Sequence, residues 1–485
     1  MARTNYSGDS SNKFLRLPNQ AVFTYNLWDT RSTAELFFAL RTEIKQVAPH
    51  DQQWNYYQQW IQPLQHAVMA MSARGLLLDK LTKANLQRKL SRELTETDRS
   101  IRAWAAEHNF PHTDKFPNSP AQVAKLLFVH LGLRGGKKTP SGQWSSDQES
   151  LTRALRDLRK RDEEARPLLH WLFHRSRLET IRERYFYLPV DPDSRVRPRV
   201  KMTGTKTFRY AYAEPPIQQY PPEIRQVIVA RAGRTLVSID YSQLEARILA
   251  ILSDDQTSLG VFAKGGDVHT QNALDLFGLS KAEWSDLGAT TKPRRNFAKT
   301  FLYGLSYGGK ADTMKTKLFC PCPRCAHLVP QTVDLTRPQI AVDEQRWFQA
   351  HPAVPAWQRD LCSSVRRNHF YQSPFGLRRW ISQPWGTDLE RQVKNIPMQM
   401  NAALLMNRAQ VALHRQGLPI VLQMHDAFVF EVEESEVERV VTTARAIMEA
   451  PVPELGGHTF PVDVEVGQNW GTASDTNPNG LRVYL

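Results

Sequence analysis

The chain has 485 residues, more than one ordinary hydrophobic core accommodates, so about two to four substructures are expected. Lysine and arginine total 63 against 49 aspartates and glutamates, and the net charge of +14 suits a polyanionic partner; the plainer alternative is a solvated basic surface. No apolar run is long enough to span a bilayer and the first residues lack the apolar core of a signal peptide. Four cysteines in so long a chain argue against a disulfide scaffold, so the expectation is a soluble intracellular protein with no membrane partner.

Residues 1–62 are mixed in character. Within them Tyr25-Asn-Leu-Trp-Asp29-Thr predicts a helix with Tyr25 and Asp29 one turn apart on one face. From 63 to 190 the pattern is helical: Leu64, Ala67, Val68 and Met71, then Ala84–Leu90, Ala121–Leu133 and Glu149–Tyr187. The interruption is Gly135-Gly-Lys137-Lys138-Thr-Pro-Ser-Gly-Gln-Trp144. Its backbone amides and two ammonium groups suit phosphate contacts, although flexible basic loops are common.

Proline-rich extended segments and the run Thr203-Gly-Thr-Lys-Thr-Phe-Arg209 lead into Thr235–Ala250. That stretch opens as a buried strand (Leu236, Val237, Ile239) and ends as a helix (Leu244, Ile248, Leu249). Asp240 sits at the strand's carboxyl end, where a charge is costly to desolvate unless a cation meets it. Ser242 and Glu245 have the spacing of a capping box.

Pro293 opens a helix punctuated by Gly308-Gly309. Arg295, Lys299, Tyr303 and Tyr307 recur every fourth residue, giving one face about 18 Å long with two cations followed by two aromatic plates. This order suits a nucleoside triphosphate, the alternative being an ordinary amphipathic helix. Next comes Cys320-Pro-Cys322-Pro-Arg-Cys325-Ala-His327, whose thiols and imidazole are candidate ligands for a structural Zn2+; free thiols in a proline-rich loop are the alternative. Cys362 is a distant further ligand candidate. Two apolar runs flank His425-Asp426 and predict a hairpin with the polar pair at its tip. A final strand begins at Pro461. Asp240 and Asp426 on neighbouring strands would suit two divalent cations; each capping a turn is the bland reading.

Taken together these segments resemble the family A DNA polymerases. Asp240-Tyr-Ser-Gln-Leu-Glu245-Ala-Arg resembles that family's first carboxylate motif, Arg295-x-x-x-Lys299-x-x-x-Tyr303-Gly-x-x-Tyr307-Gly308 its nucleotide helix, and His425-Asp426 its second carboxylate motif. Supporting similarities are Thr203–Arg209, Gln218, Gly266-Asp-Val-His269-Thr, Gly376-x-Arg-Arg379 and Asn395-x-x-x-Gln399. All occur in the family's order over roughly residues 63–475.

The resemblance implies an α+β right-hand fold: an N-terminal remnant of an exonuclease-like domain (1–62), a helical thumb (63–190), an antiparallel palm (191–260 and 376–485), and helical fingers with a cysteine-containing insertion (261–375). It also implies roles. Asp240, the Tyr241 carbonyl and Asp426 would bind two Mg2+, and Gln243, His269, Arg295 and Lys299 would hold the nucleotide, with Lys299 as proton donor. Tyr303 and Tyr307 would face the nucleotide and template, and Glu245 would exclude a ribose 2′-hydroxyl. Lys137, Lys138, Arg209, Gln218, Arg379, Asn395, Gln399 and His425 would contact primer-template DNA.

Two departures stand out. The glutamate that usually follows His-Asp in the family is Ala427 here, which implies activity retained but tuned. Tyr25-Asn-x-x-Asp29 resembles the last motif of the family's proofreading domain, but the earlier acidic motifs are absent, so no proofreading is expected from this chain. The expected activity is DNA synthesis from dNTPs by a monomer in the cytoplasm or nucleoid (host cytoplasm if phage), alongside other replication proteins. Alternatives are a single-subunit RNA polymerase, against which Glu245 and the Thr-Gly-Thr segment speak, and a relative that binds DNA without chemistry.

Overall fold

The computed structural model describes residues 19–47, 51–186, 190–288, 291–306 and 337–484. Its organising element is a five-stranded antiparallel sheet. The strands are β1 (Arg234–Tyr241), β2 (Ile420–Met424), β3 (Ala427–Glu433), β4 (Val462–Gly467) and β5 (Arg482–Val483), in spatial order β2-β3-β1-β4-β5. The central strand β1 is buried at every position from Thr235 to Ile239 and again at Tyr241. A near-continuous apolar run is what a strand covered on both faces requires. The predicted strand at 235–240 and the hairpin around His425-Asp426 are therefore β1 and the β2–β3 pair.

Helices among the described residues position this sheet and the cleft above it. Helix α1 (Asn19–Val47) contains the predicted Tyr25–Asp29 turn and stands largely in solvent, with Phe23, Leu27, Trp28 and Phe38 exposed; Phe37 anchors it, edge-on to Trp54 at 5.9 Å. Helices α2 (Lys80–Glu107) and α3 (Arg166–Tyr185) pack together around a separate core that includes Ile101, Phe116, Leu126, Leu168 and Leu169. Asp79 starts α2 by accepting from the amides of Leu81 and Thr82.

The helical pattern here is more broken than expected. Ala121–Leu133 becomes a short helix (Pro120–Lys125) followed by a wide turn (Leu126–His130). Glu149–Tyr187 divides into Gln148–Arg156, a tight turn at Lys160–Ala165, and α3, with Pro167 in α3's first turn. Proline lacks an amide to continue a preceding helix, so it restarts one instead. The Lys137-Lys138 stretch is a two-stranded ribbon rather than an irregular loop: Lys138 pairs with Trp144, and its ammonium lies 5.0 Å from that ring.

Helix α4 (Leu244–Ser253) follows β1 directly. Helices α5 (Val268–Phe277) and α6 (Thr291–Ser306) pack against each other beside the end of β1. Helix α7 (Ala353–Asn368) leads into a ribbon of Phe370–Gln372 and Arg378–Trp380, and then into the long α8 (Thr387–Arg415). Helix α9 (Val437–Met448) packs on β1, β3 and β4, closing one face of the sheet. No helix among the described residues is long and apolar enough to cross a membrane.

Candidate active site

Strand β1 delivers Asp240 to the mouth of a cleft while the residues on either side, Ile239 and Tyr241, are buried. Alternation in a strand forces this choice, because Ile239 and Tyr241 point to the face opposite Asp240. Ala427 on β3 and Asp463 on β4 both lie directly across from Asp240. Cross-strand partners share a face, so all three side chains leave the sheet on the same side.

The β2–β3 connection is a tight turn over His425 and Asp426, closed by the pairing of Met424 with Ala427. His425 takes a left-handed φ of 54°, and the Tyr241 amide donates to the Asp426 carbonyl at 3.0 Å. This bond pins the turn to the end of β1 and sets the Asp426 carboxyl beside that of Asp240.

Crowding shows in the charges. The Asp240 carboxyl opens onto the cleft but is enclosed by protein below. Loss of hydration and the charges of Asp426 and Asp463 push it up to about 7, against the pull of Lys299. Asp426 rises to about 6, chiefly through burial, with Arg209 opposing and Glu245 adding to the shift. Glu465, two residues beyond Asp463 and on the same face, is also raised, by burial and by Asp463.

Arg209 and Glu245 form the next layer. The Arg209 guanidinium donates to Glu245 and reaches Asp426 Oδ1 at 3.4 Å. The capping box predicted at Ser242 and Glu245 does not form. Helix α4 is capped instead by Gln243 in a left-handed conformation with no side-chain cap, and Glu245 answers the guanidinium, a stronger partner than a backbone amide. Gln243, expected at the nucleotide, uses its side-chain oxygen to accept from the Val268 amide at 3.0 Å, tying α4 to the start of α5.

Helix α6 brings the predicted cationic face to the carboxylates. Arg295 donates to Asp267, the residue that also caps α5 by accepting from the His269 amide at 3.0 Å. Lys299 is exposed, acts electrostatically on both Asp240 and Asp426, and lies 5.8 Å from the Tyr303 ring. The Tyr303 hydroxyl is held above its usual range by burial and by Glu245 and Asp426. His269 packs at 5.5 Å from Tyr303 and is wholly buried. Neither ring nitrogen has a partner among the described residues, and burial with Lys299 nearby pushes it down to about 4. Orphaned buried nitrogens are costly, and here they lie beside the cations a triphosphate would need.

The other predicted residues are more dispersed. Gln218 donates to the Tyr210 carbonyl at 2.9 Å, and Arg379 donates to the Lys206 carbonyl within the Thr203–Arg209 segment. Asn395 and Gln399 lie partly buried on α8, and the Asn395 side-chain oxygen has no partner among the described residues. His425 is exposed at the hairpin tip, while Lys137 and Lys138 are on the distant ribbon. Tyr307 and the cluster Cys320, Cys322, Cys325 and His327 lie outside the described residues.

Asp463, Glu465 and Asp267 were missed as site residues. The alternation in Val462-Asp-Val-Glu-Val466 was the available signal, since it sets two acids on one strand face. Among the described residues no group of three or more His, Cys, Asp or Glu side chains converges tightly enough to enclose a metal ion. Two adjacent carboxylates instead suit Mg2+, which keeps waters and is commonly completed by substrate phosphates.

The family model for DNA polymerase family A matches residues 81–472. The thermostable DNA polymerase I of Thermus thermophilus is 30% identical over 446 residues, covering 86% of this chain and 48% of that protein. Its Thermus aquaticus counterpart is 28% identical with the same coverage, and the DNA polymerase I of Rhizobium leguminosarum is 27% identical over 445 residues. The chain thus spans about half the length of the Thermus proteins. Among solved structures, the POL domain of Pol1 from M. smegmatis, in complex with DNA primer-template and dNTP, superposes with a TM-score of 0.75. At 22% identity, over 90% of this chain and 74% of that one, it shares the fold.

Proposed function

The chain belongs to DNA polymerase family A and has its right-hand fold, and on that premise we propose that it extends a primer 3′-hydroxyl with dNTPs directed by a DNA template. The observation that carries the reading is the meeting of Asp240 and Asp426, from distant segments, beside the Arg295–Lys299–Tyr303 face of α6. In this reading residues 63–190 are the thumb, 191–260 and 376–485 the palm, and 261–375 the fingers.

Asp240, Asp426 and the Tyr241 carbonyl would hold two Mg2+, which when bound supply the charge that favours attack at the α-phosphorus and departure of pyrophosphate. Arg295 and Lys299 would neutralise the leaving pyrophosphate, and Lys299 would give it a proton. For this Arg295 exchanges Asp267 for the triphosphate, and the His269 nitrogens gain the partner they lack. Glu245, held by Arg209, would stand where a ribose 2′-hydroxyl would intrude. Most of the rate comes from positioning and electrostatics.

The decisive measurement is extension of a labelled primer on a defined template with Mg2+, comparing dNTPs with rNTPs and matched with mismatched 3′ ends. Incorporation of dNTPs, abolished by Asp240→Ala with DNA binding intact, is expected. Preferential rNTP use would favour an RNA polymerase, a reading that Ala427 after His425-Asp426 keeps in view. A structural Zn2+ at Cys320, Cys322, Cys325 and His327 is a separate proposal, read by metal content of the purified chain.

A further inference from the structure

The turn that leads into the Arg378–Trp380 strand is held by two partners far apart in the chain. One is α8, where Asn401 accepts from the Ser373 hydroxyl at 2.5 Å, while the same hydroxyl accepts from the Phe375 amide at 3.1 Å. The other is the N-terminal segment. Gln53, half-buried on the short helix Gln52–Tyr56, donates its side-chain amide to the Gly376 carbonyl and accepts from the Arg378 amide at 3.0 Å. Gly376 has a φ of 92°, a conformation glycine adopts without strain. Its carbonyl also accepts from the Gln372 side chain at 2.8 Å.

Two further contacts join the same segments. The Arg378 guanidinium donates to the Val47 carbonyl at the end of α1 at 2.5 Å, and it lies 4.3 Å from the Phe370 ring. The last carbonyls of a helix have no partner within it, and here a guanidinium supplies one. Arg408 of α8 lies 4.4 Å from the ring of Trp60 and 4.6 Å from that of Phe375.

A helix docked only to cover apolar surface could slide. A side-chain amide bonded to both a carbonyl and an amide of one turn cannot, because hydrogen bonds are directional. Gln53 therefore fixes the course of the strand that follows. Successive residues leave opposite faces of a strand. Arg378 turns towards the N-terminal segment, so Arg379 leaves the other face, where it donates to the Lys206 carbonyl. The Arg379 Nε has no partner among the described residues.

We infer that Gln53 is a positioning residue for DNA binding: by bracing the Gly376 turn it sets the strand that presents Arg379 to primer-template. The inference rests on the polymerase reading and gives the N-terminal segment, expected as a remnant, a task within it.

The test measures primer-template affinity of the full chain, and the KM for dNTP at saturating DNA, in Gln53→Ala, Arg379→Ala and the double variant. Gln53→Ala should weaken DNA binding about 5-fold and leave the KM for dNTP within about 2-fold. Combined with Arg379→Ala it should add nothing to the loss that Arg379→Ala causes alone, because the two act through one contact. Gln53→Glu keeps the shape and the acceptor but loses the donor to Gly376, so it should weaken binding at least as much as Gln53→Ala. It carries the test should Gln53→Ala fail to fold, which thermal melts would reveal. Normal DNA affinity in Gln53→Glu, additive losses in the double variant, or an equal rise in the KM for dNTP would each overturn the inference. Primer extension by the wild type separates the two claims. Where it occurs and Gln53→Glu binds DNA normally, the brace alone is refuted. Where the wild type neither binds nor extends primer-template, the polymerase reading fails and takes the brace with it.

Discussion

Asp463 on β4 lies directly opposite Asp240 on β1, so two acids face one another across neighbouring strands at the mouth of the cleft. Like charges in that position oppose folding unless a cation joins them. Asp463→Asn should therefore stabilise the metal-free protein by a few tenths to about 1 kcal/mol in denaturant titrations. The gain should shrink when Mg2+ is present. Equal gains with and without the ion would show that Asp463 does not sense it.

Asp240 and Asp426 have raised pKa values, near 7 and 6. For a carboxyl raised above its unfolded value, the folded state holds a proton that the unfolded state has lost, so stability falls as pH climbs from the unfolded value and levels off above the folded one. In EDTA the melting temperature should decline from about pH 4 to about pH 7, and divalent cation should restore it at the upper end. Asp240→Asn should flatten the profile. A metal-free melting temperature that rises through this window would contradict the crowding argument.

Ala427 and Asp240 are also in register, across β1's other neighbour β3 and on the same sheet face as Asp463. Ala427→Glu would add a carboxylate beside an acid that already repels its neighbours. The expected result is tighter divalent-ion binding by titration and a change in extension rate below about 10-fold. Asp240→Asn or Lys299→Ala should cost about 100-fold or more. A large loss in Ala427→Glu with normal metal binding would make the alanine a steric requirement.

His269 is buried, with neither ring nitrogen partnered among the described residues. His269→Phe should leave stability unchanged or improved, since it removes an unsatisfied polar group. It should raise the KM for dNTP by about 10-fold if the imidazole bonds the triphosphate. Unchanged KM would confine His269 to packing against Tyr303.

Arg195 and Glu431 form a buried ion pair at 2.8 Å that fastens the Arg195–Val196 segment to β3, and Glu431 also accepts from the Arg231 amide at 2.9 Å. Glu431→Ala should destabilise by about 3–5 kcal/mol, because it strands a buried guanidinium. Chemical denaturation would measure this, and metal binding at the cleft of the folded fraction should be preserved.

Local pattern determined the elements that carry the site. An apolar run ended by Asp240, a four-residue repeat of Arg295, Lys299 and Tyr303, and two apolar runs around His425-Asp426 needed only the periods of strand and helix. Tertiary structure decided which groups meet. The capping motif at Ser242 lost to Arg209, which is distant in sequence; Gln243 became a tether for α5; and Asp463 entered the cleft through strand register. None of these is local, because partner choice depends on which chains the core brings within bonding distance and on which of several competing donors is the stronger. The sequence by itself thus determined the strand, hairpin and helix that carry the candidate residues, whereas burial, pairing and the repulsion that raises Asp240 and Asp426 were set by packing around β1.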